Sequence, residues 1–298
     1  MPALPPSAGS GASRPADDLS PGPVDPGPSV GGPELSVGGP ELSGDGGPVS
    51  RGGGSISPAA AGGTVPDALL PSARRLFGDR LPTACRYADL LATEGVLRGL
   101  VGPREACRIW ERHLLNCAVV GELVPYGASV VDVGSGAGLP GIVLAVARPD
   151  LAVTLVEPLA RRTAFLTEAV AVLGLGAEVT VVRSRAEDLA RPGRGAASVL
   201  PADVVTARAV APLDKLAEWC LPLATVGGRL LAIKGASASD EVAAHRDRIV
   251  RLGGAEPTVR RCGLDVLDTP TTVVEIVRTR GVQAAVRRPG RRGRGASG

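Results

Sequence analysis

Val130-Val131-Asp132-Val133-Gly134-Ser135-Gly136-Ala137-Gly138-Leu139-Pro140-Gly141 is the stretch that decides the fold. A short apolar run gives way to glycine at every second position and then to proline, the pattern of a buried strand turning into a helix. Glycine there allows positive φ and lets a ligand lie against bare backbone. The spacing sorts the ligands. A dinucleotide fingerprint needs a glycine three residues after the second one, and that position is Leu139. The loop instead reads D-x-G-x-G-x-G, with Asp132 two residues before Gly134.

Working outward, five short apolar runs follow at 129–133, 152–157, 178–182, 203–207 and 228–233, with amphipathic stretches at 140–147, 161–173, 213–223 and 240–252. Continuous rather than alternating apolar strands imply burial on both faces, hence a parallel sheet covered by helices. Two more β-like runs, 258–266 and 271–277, come without a helix between them. The sheet is thus expected to end antiparallel, unlike a dinucleotide-binding sheet. Upstream, helical spacing marks 67–77, 87–97 and a third helix opened by Pro103 and running through Ala118. The expected fold class is α/β: a Rossmann-like sheet with a final antiparallel strand, preceded by N-terminal helices.

The loop points to the ligand, and with it to an S-adenosylmethionine-dependent methyltransferase sheet. The D-x-G-x-G-x-G form is typical of S-adenosylmethionine binders, which carry no pyrophosphate to cradle; Asp132 is expected near the positively charged methionine end, beside Gly134, Gly136 and Gly138. Twenty-five residues after Asp132, the second strand ends in Val156-Glu157-Pro158. A carboxylate there can accept both ribose hydroxyls. After the third strand comes Ser184-Arg185-Ala186-Glu187-Asp188, placed to run beside the adenine ring.

Composition bounds the rest. Of 298 residues, 41 are glycine and 27 proline, and residues 1–63 hold 16 and 12 of these. Such a stretch cannot build a core and reads as a disordered leader, in which Ser-Val-Gly-Gly-Pro-Glu-Leu at 29–35 recurs at 36–42. The expected organisation is a leader at 1–63, a helical segment at 64–124 packed on the core, a methyltransferase domain at 125–282 and a basic Arg/Gly tail at 283–298. The leader carries a net charge of −4, the segment 287–298 +5, and the middle only +2. A body that near neutrality binds nucleic acid through a local patch or not at all. No apolar run approaches the roughly 18–20 residues of a membrane span, and no secretory signal opens the chain. Five cysteines without C-x-x-C spacing and two histidines argue against zinc or disulfides and for a cytoplasmic setting.

Four segments together resemble the ribosomal RNA small subunit methyltransferase G family, also called the glucose-inhibited division protein B family: Trp110-Glu111-Arg112-His113-Leu114-Leu115, Gly138-Leu139-Pro140-Gly141, Ala207-Arg208-Ala209 and Ile233-Lys234-Gly235. The resemblance covers about 64–280. It implies methyl transfer from S-adenosylmethionine to N7 of a guanine in 16S rRNA, with cofactor positions at Gly134, Leu139, Ala186, Glu187 and Arg208. Nothing carries over to the leader or the tail. Guanine N7 has an in-plane lone pair and no proton at neutral pH, so no catalytic base or metal is expected. RNA contacts are expected at Arg112, His113, Arg161, Arg162 and Lys234, the last by pairing with a phosphate; Arg208 is expected to fix the cofactor carboxylate or the guanine O6. The partner implied is 16S rRNA or the small ribosomal subunit, with the enzyme a monomer. The loop alone equally suits a methyltransferase for small molecules, or a nucleotide-binding scaffold without catalysis.

Overall fold

Pro71 and Pro82 sit in the first turns of the two opening helices, α1 (Leu70–Phe77) and α2 (Leu81–Leu90), where a missing N–H leaves no bond unmade. The computed structural model describes residues 63–190 and 201–280, all within one unit of the chain, Ser55–Gly298. The leader up to residue 62 and the tail from 281 lie outside the described residues. The helix expected from residue 87 starts six residues earlier, because Pro82 opens it rather than preceding it. It continues through a π-helical turn, Leu91–Gly95.

The third helix is not uniform. It runs as a 3-10 turn (Pro103–Arg108), a π-helical stretch (Trp110–Leu115), α3 (Asn116–Ala118) and another 3-10 turn (Val119–Leu123). π turns rotate the side chains that follow and are frequent at functional sites. Phe77 of α1 meets the Trp110 ring edge to face, 6.1 Å between centroids. Such a pair adds about 0.5–1.5 kcal/mol beyond its burial.

The remainder alternates strand and helix: β1 (Ser129–Val133), α4 (Gly141–Ala147), β2 (Ala152–Val156), α5 (Ala160–Leu173), β3 (Val179–Val182), α6 (Ala186–Leu189), β4 (Ala202–Arg208), α7 (Leu213–Cys220), β5 (Ala224–Lys234), α8 (Ala238–Arg251), β6 (Thr258–Cys262) and β7 (Thr271–Val277). The sheet order is β3-β2-β1-β4-β5-β7-β6. β1 to β5 pair in parallel, whereas β7 runs antiparallel to both β5 and β6. One strand alone therefore runs against the rest, inserted between β5 and the edge strand. β6 ends at Cys262, four residues short of the apolar run that suggested it.

Both sheet faces are covered, which explains the unbroken apolar runs. Val130, Val204, Leu231 and Val273 face the lead-in helices, α4 and α5. Val131, Val205, Leu230 and Val274 face α7 and α8. The order reverses between β1 and β4, and the crevice above their carboxyl ends is where such sheets take ligands.

Candidate active site

The glycine loop after β1 is held through its backbone N–H and C=O groups, by the loop itself, by β2 and by three side chains. Gly134 and Ser135 donate to Val156 O of β2 at 2.8 and 3.2 Å; Gly138 and Leu139 donate to Ser135 O at 2.7 and 3.1 Å. Gly136 N donates to Glu157 Oε2 at 3.0 Å, and Gly141 N to Asp132 Oδ2 at 3.2 Å. From the far side of the loop, the buried Tyr87 of α2 donates its hydroxyl to Ala137 O at 2.6 Å. With these amides engaged, the loop has no row of open N–H groups with which to grip a diphosphate. It is a wall for a ligand without phosphates.

Above it lies a cavity of about 640 Å³. Gly134, Gly136, Leu139, Glu157, Ala186, Glu187 and Arg208 line it, together with His113 and Arg162. Gly136 has φ 57°, and a Cβ built on it meets nothing closer than 3.8 Å. Glu157, 2% exposed, accepts from Gly136 N and, through Oε1, from Leu159 N at 3.0 Å. A carboxylate has about four acceptor directions, so two remain for vicinal hydroxyls. Arg162 Nη1 stands 3.8 Å from Oε2. Volume, bare backbone, a hydroxyl acceptor and the lack of a diphosphate grip together fit S-adenosylmethionine.

Two residues of the D-x-G-x-G-x-G pattern do not reach the cavity. Asp132 is fully buried, taking Thr206 Oγ1 at 2.9 Å on Oδ1 and Gly141 N on Oδ2. Burial pushes its carboxyl up to about 6, against the opposing hydrogen bonds of Thr206 and Gly141. The expected contact with the methionine end is replaced by a pin between β1, β4 and the start of α4. A Cβ on Gly138 would stand 2.5 Å from Ile142 Cδ1 and 2.7 Å from the Tyr87 hydroxyl, so this glycine serves packing.

The opposite wall comes from the π-helical stretch. Arg208, closing β4, donates through Nη1 to Cys117 Sγ at 3.1 Å and through Nη2 to His113 Nδ1 at 2.6 Å. A guanidinium only donates, so Nδ1 must accept and the imidazole proton resides on Nε2. Burial first, and then the charge of Arg208, push the His113 pKa down to about 4, so the ring is neutral near pH 7. Ala209, next in the chain, has φ 53°. It is the one non-glycine residue among those described with positive φ, a conformation that costs about 1–2 kcal/mol and gathers at functional sites.

Beyond this wall lies a second cleft of about 660 Å³ that shares His113, Arg208 and Ala209 with the cavity. Arg112 and Lys234 line it, as do Glu105, Asn116, Arg261 and Thr271, which carried no local motif. Lys234 is also held within the protein: Nζ donates to Ala211 O at 2.9 Å and Glu241 Oε2 at 2.8 Å, tying down the loop after β4 and leaving one of its three donors. Arg161 is exposed at the start of α5 and lines neither space.

Comparison with known proteins agrees with this geometry. Residues 80–266 match the family described as rRNA small subunit methyltransferase G. The ribosomal RNA small subunit methyltransferase G of Salinispora tropica is 64% identical over 238 residues, 80% of this chain and 98% of that protein. Those of Salinispora arenicola and Rhodococcus jostii are 61% and 56% identical, over 80% and 70% of this chain and 98% and 88% of theirs. With the loop, the reversed strand β7 and the double cleft already in place, the chain belongs to the rRNA small subunit methyltransferase G family.

Proposed function

We infer that this enzyme methylates N7 of a guanine in 16S rRNA, with S-adenosylmethionine in the cavity over the glycine loop and the base entering by the second cleft. The observation that carries the reading is the shared wall. His113, Arg208 and Ala209 border both spaces, so two ligands bound in them meet there.

S-adenosylmethionine supplies a methyl group on a sulfonium, so the C–S electron pair leaves with sulfur as positive charge passes to the acceptor. Guanine N7 presents its lone pair without losing a proton, and the chain is asked for alignment rather than for a base. A well-held approach geometry supplies roughly 7–11 kcal/mol. Glu157 would hold the ribose hydroxyls, the loop backbone would set the depth of the cofactor, and the pinned loop after β4 would set the height of the base. His113, kept neutral, adds no charge against a base that becomes cationic.

Small ribosomal subunits from cells lacking the gene, incubated with labelled S-adenosylmethionine, are expected to gain one 7-methylguanosine in 16S rRNA. Label found only in small acceptors, or at another atom of the rRNA, overturns the reading.

A further inference from the structure

The second cleft is lined by the cations Arg112, Arg208, Lys234 and Arg261 and by one carboxylate, Glu105. A cleft that only tracks phosphate gains nothing from an acid, which repels the backbone it faces. Yet Glu105 is held in place. Its Oε1 accepts from Arg112 Nη1 at 3.1 Å, and Oε2 stands 3.4 Å from His113 Nε2. The second contact is longer than a good hydrogen bond, and no described group pairs with that buried Nε2. Two acceptor directions of the carboxylate are therefore uncommitted.

Guanine is the standard base whose Watson–Crick edge sets two donors side by side, N1–H and N2–H₂. Adenine offers an acceptor at N1, cytosine an acceptor at N3, and uracil one donor between two carbonyls. We propose that Glu105 reads the target guanine, accepting from N1–H and N2–H₂ while N7 is turned to the wall formed by His113, Arg208 and Ala209. This rests on guanine N7 as the acceptor atom. A site built to bond both donors rejects the other bases, because the half-buried Glu105, once covered by the base, would be left unpaired opposite them. Glu105 also acts on rate. As N7 gains its fourth bond the ring becomes cationic and N1–H and N2–H₂ become stronger donors, so the contact tightens in the transition state and raises kcat. It offsets the charge of Arg208 at the moment the base becomes positive.

The test uses small subunits assembled on rRNA carrying guanosine or inosine at the mapped target position. Inosine keeps N7, O6 and N1–H and lacks only the 2-amino group. The wild-type enzyme is expected to lose about 10-fold in kcat/KM on inosine. Glu105→Gln is expected to lose about 10- to 100-fold on guanosine, mainly in kcat, and to bring the guanosine-to-inosine ratio close to one. Glu105→Asp recovers part of both, and calorimetric affinity for S-adenosylmethionine stays at the wild-type value in each variant. Equal wild-type rates on the two RNAs overturn the proposal, as does a Glu105→Gln enzyme that keeps the wild-type ratio or loses cofactor affinity. A wild-type enzyme that methylates neither RNA at N7 instead removes the reading on which the proposal stands.

Discussion

The two walls of the cavity are built in opposite ways. The glycine loop engages through its backbone groups at short to middle range. Its bonds close over three residues in Gly138 to Ser135, nine in Gly141 to the Asp132 carboxylate and 21 in Gly136 to Glu157, with Tyr87 alone reaching it from 50 residues away. The facing wall is long-range and made of side chains, with Arg208 reaching Cys117 and His113 across 91 and 95 residues of sequence. A wall of backbone responds to a substitution through shape. A wall of hydrogen-bonded side chains responds through unpaired atoms and charge. Each prediction below sharpens that contrast or breaks it.

The largest effect is expected at Arg208. Arg208→Ala leaves His113 Nδ1 and the Cys117 thiol without their donor and lets β4 part from the π-helical stretch. Stability is expected to fall by about 1–3 kcal/mol and kcat/KM by about 100-fold, since a displacement of 1 Å at a reacting centre costs that much. Arg208→Lys keeps the charge and loses the fork, so it should recover little. Denaturant unfolding and methyl incorporation into subunits measure both. Full recovery by lysine would show that charge alone matters there.

Next come two glycines of the loop, which separate shape from ligand contact. A Cβ at Gly141 would stand 2.3 Å from Leu155 Cδ2 and 2.9 Å from Asp132 Oδ2. Gly141→Ala is expected to cost about 1–3 kcal/mol of stability by overpacking, with the folded fraction binding S-adenosylmethionine normally. Gly136→Ala meets open space, and that space is the cavity. It should lose about 1 kcal/mol for its positive φ but weaken cofactor binding about 10-fold in calorimetry. The opposite assignment of the two losses would remove the division between packing and binding glycines.

The same division explains what the amino-acid sequence disclosed. β1 and β7 were readable to the residue, because β-branched and apolar residues dominate both and polar or turn-forming neighbours mark their ends. The glycine loop was readable because backbone geometry restricts residue type at each position. Asp132 was misplaced for want of its neighbour: spacing cannot tell an acid facing a ligand from one facing the core. A signal was present, since Thr206 lies opposite it in the register of β1 with β4, two polar residues in otherwise apolar buried strands. The internal tie of Lys234 was hidden likewise, its partner Glu241 lying seven residues on, one turn into α8. Glu105 had no signal of its own. It lies in a 3-10 turn whose continuation is π-helical, so helical spacing from Pro103 does not report which face it joins. Only tertiary packing brings it to the cleft.

A last test reads the contrast through protons. Asp132 is pushed up from 3.8 to about 6 and His113 down from 6.5 to about 4, each chiefly by burial. The folded state holds the Asp132 proton more tightly than the unfolded chain, so the stability it contributes is full below pH 4 and is lost as pH rises towards 6. His113 has the reverse sign: the folded state resists protonation, so stability is lost as pH falls from 6.5 towards 4. The two slopes oppose each other in one window, so these two groups largely offset one another in the wild-type protein. Asp132→Asn keeps an acceptor for Gly141 N–H and turns its amide to Thr206 Oγ1, which can accept as well as donate. With the Asp132 slope gone, stability should climb by about 2 kcal/mol from pH 4 to 6.5. His113→Gln, whose carbonyl can still take the Arg208 proton, should show the opposite tilt. Urea midpoints in this range measure both. Tilts of the same sign in the two variants would mean that one wall controls the titration of the other, and that strand-borne and helix-borne groups are not separable across β4.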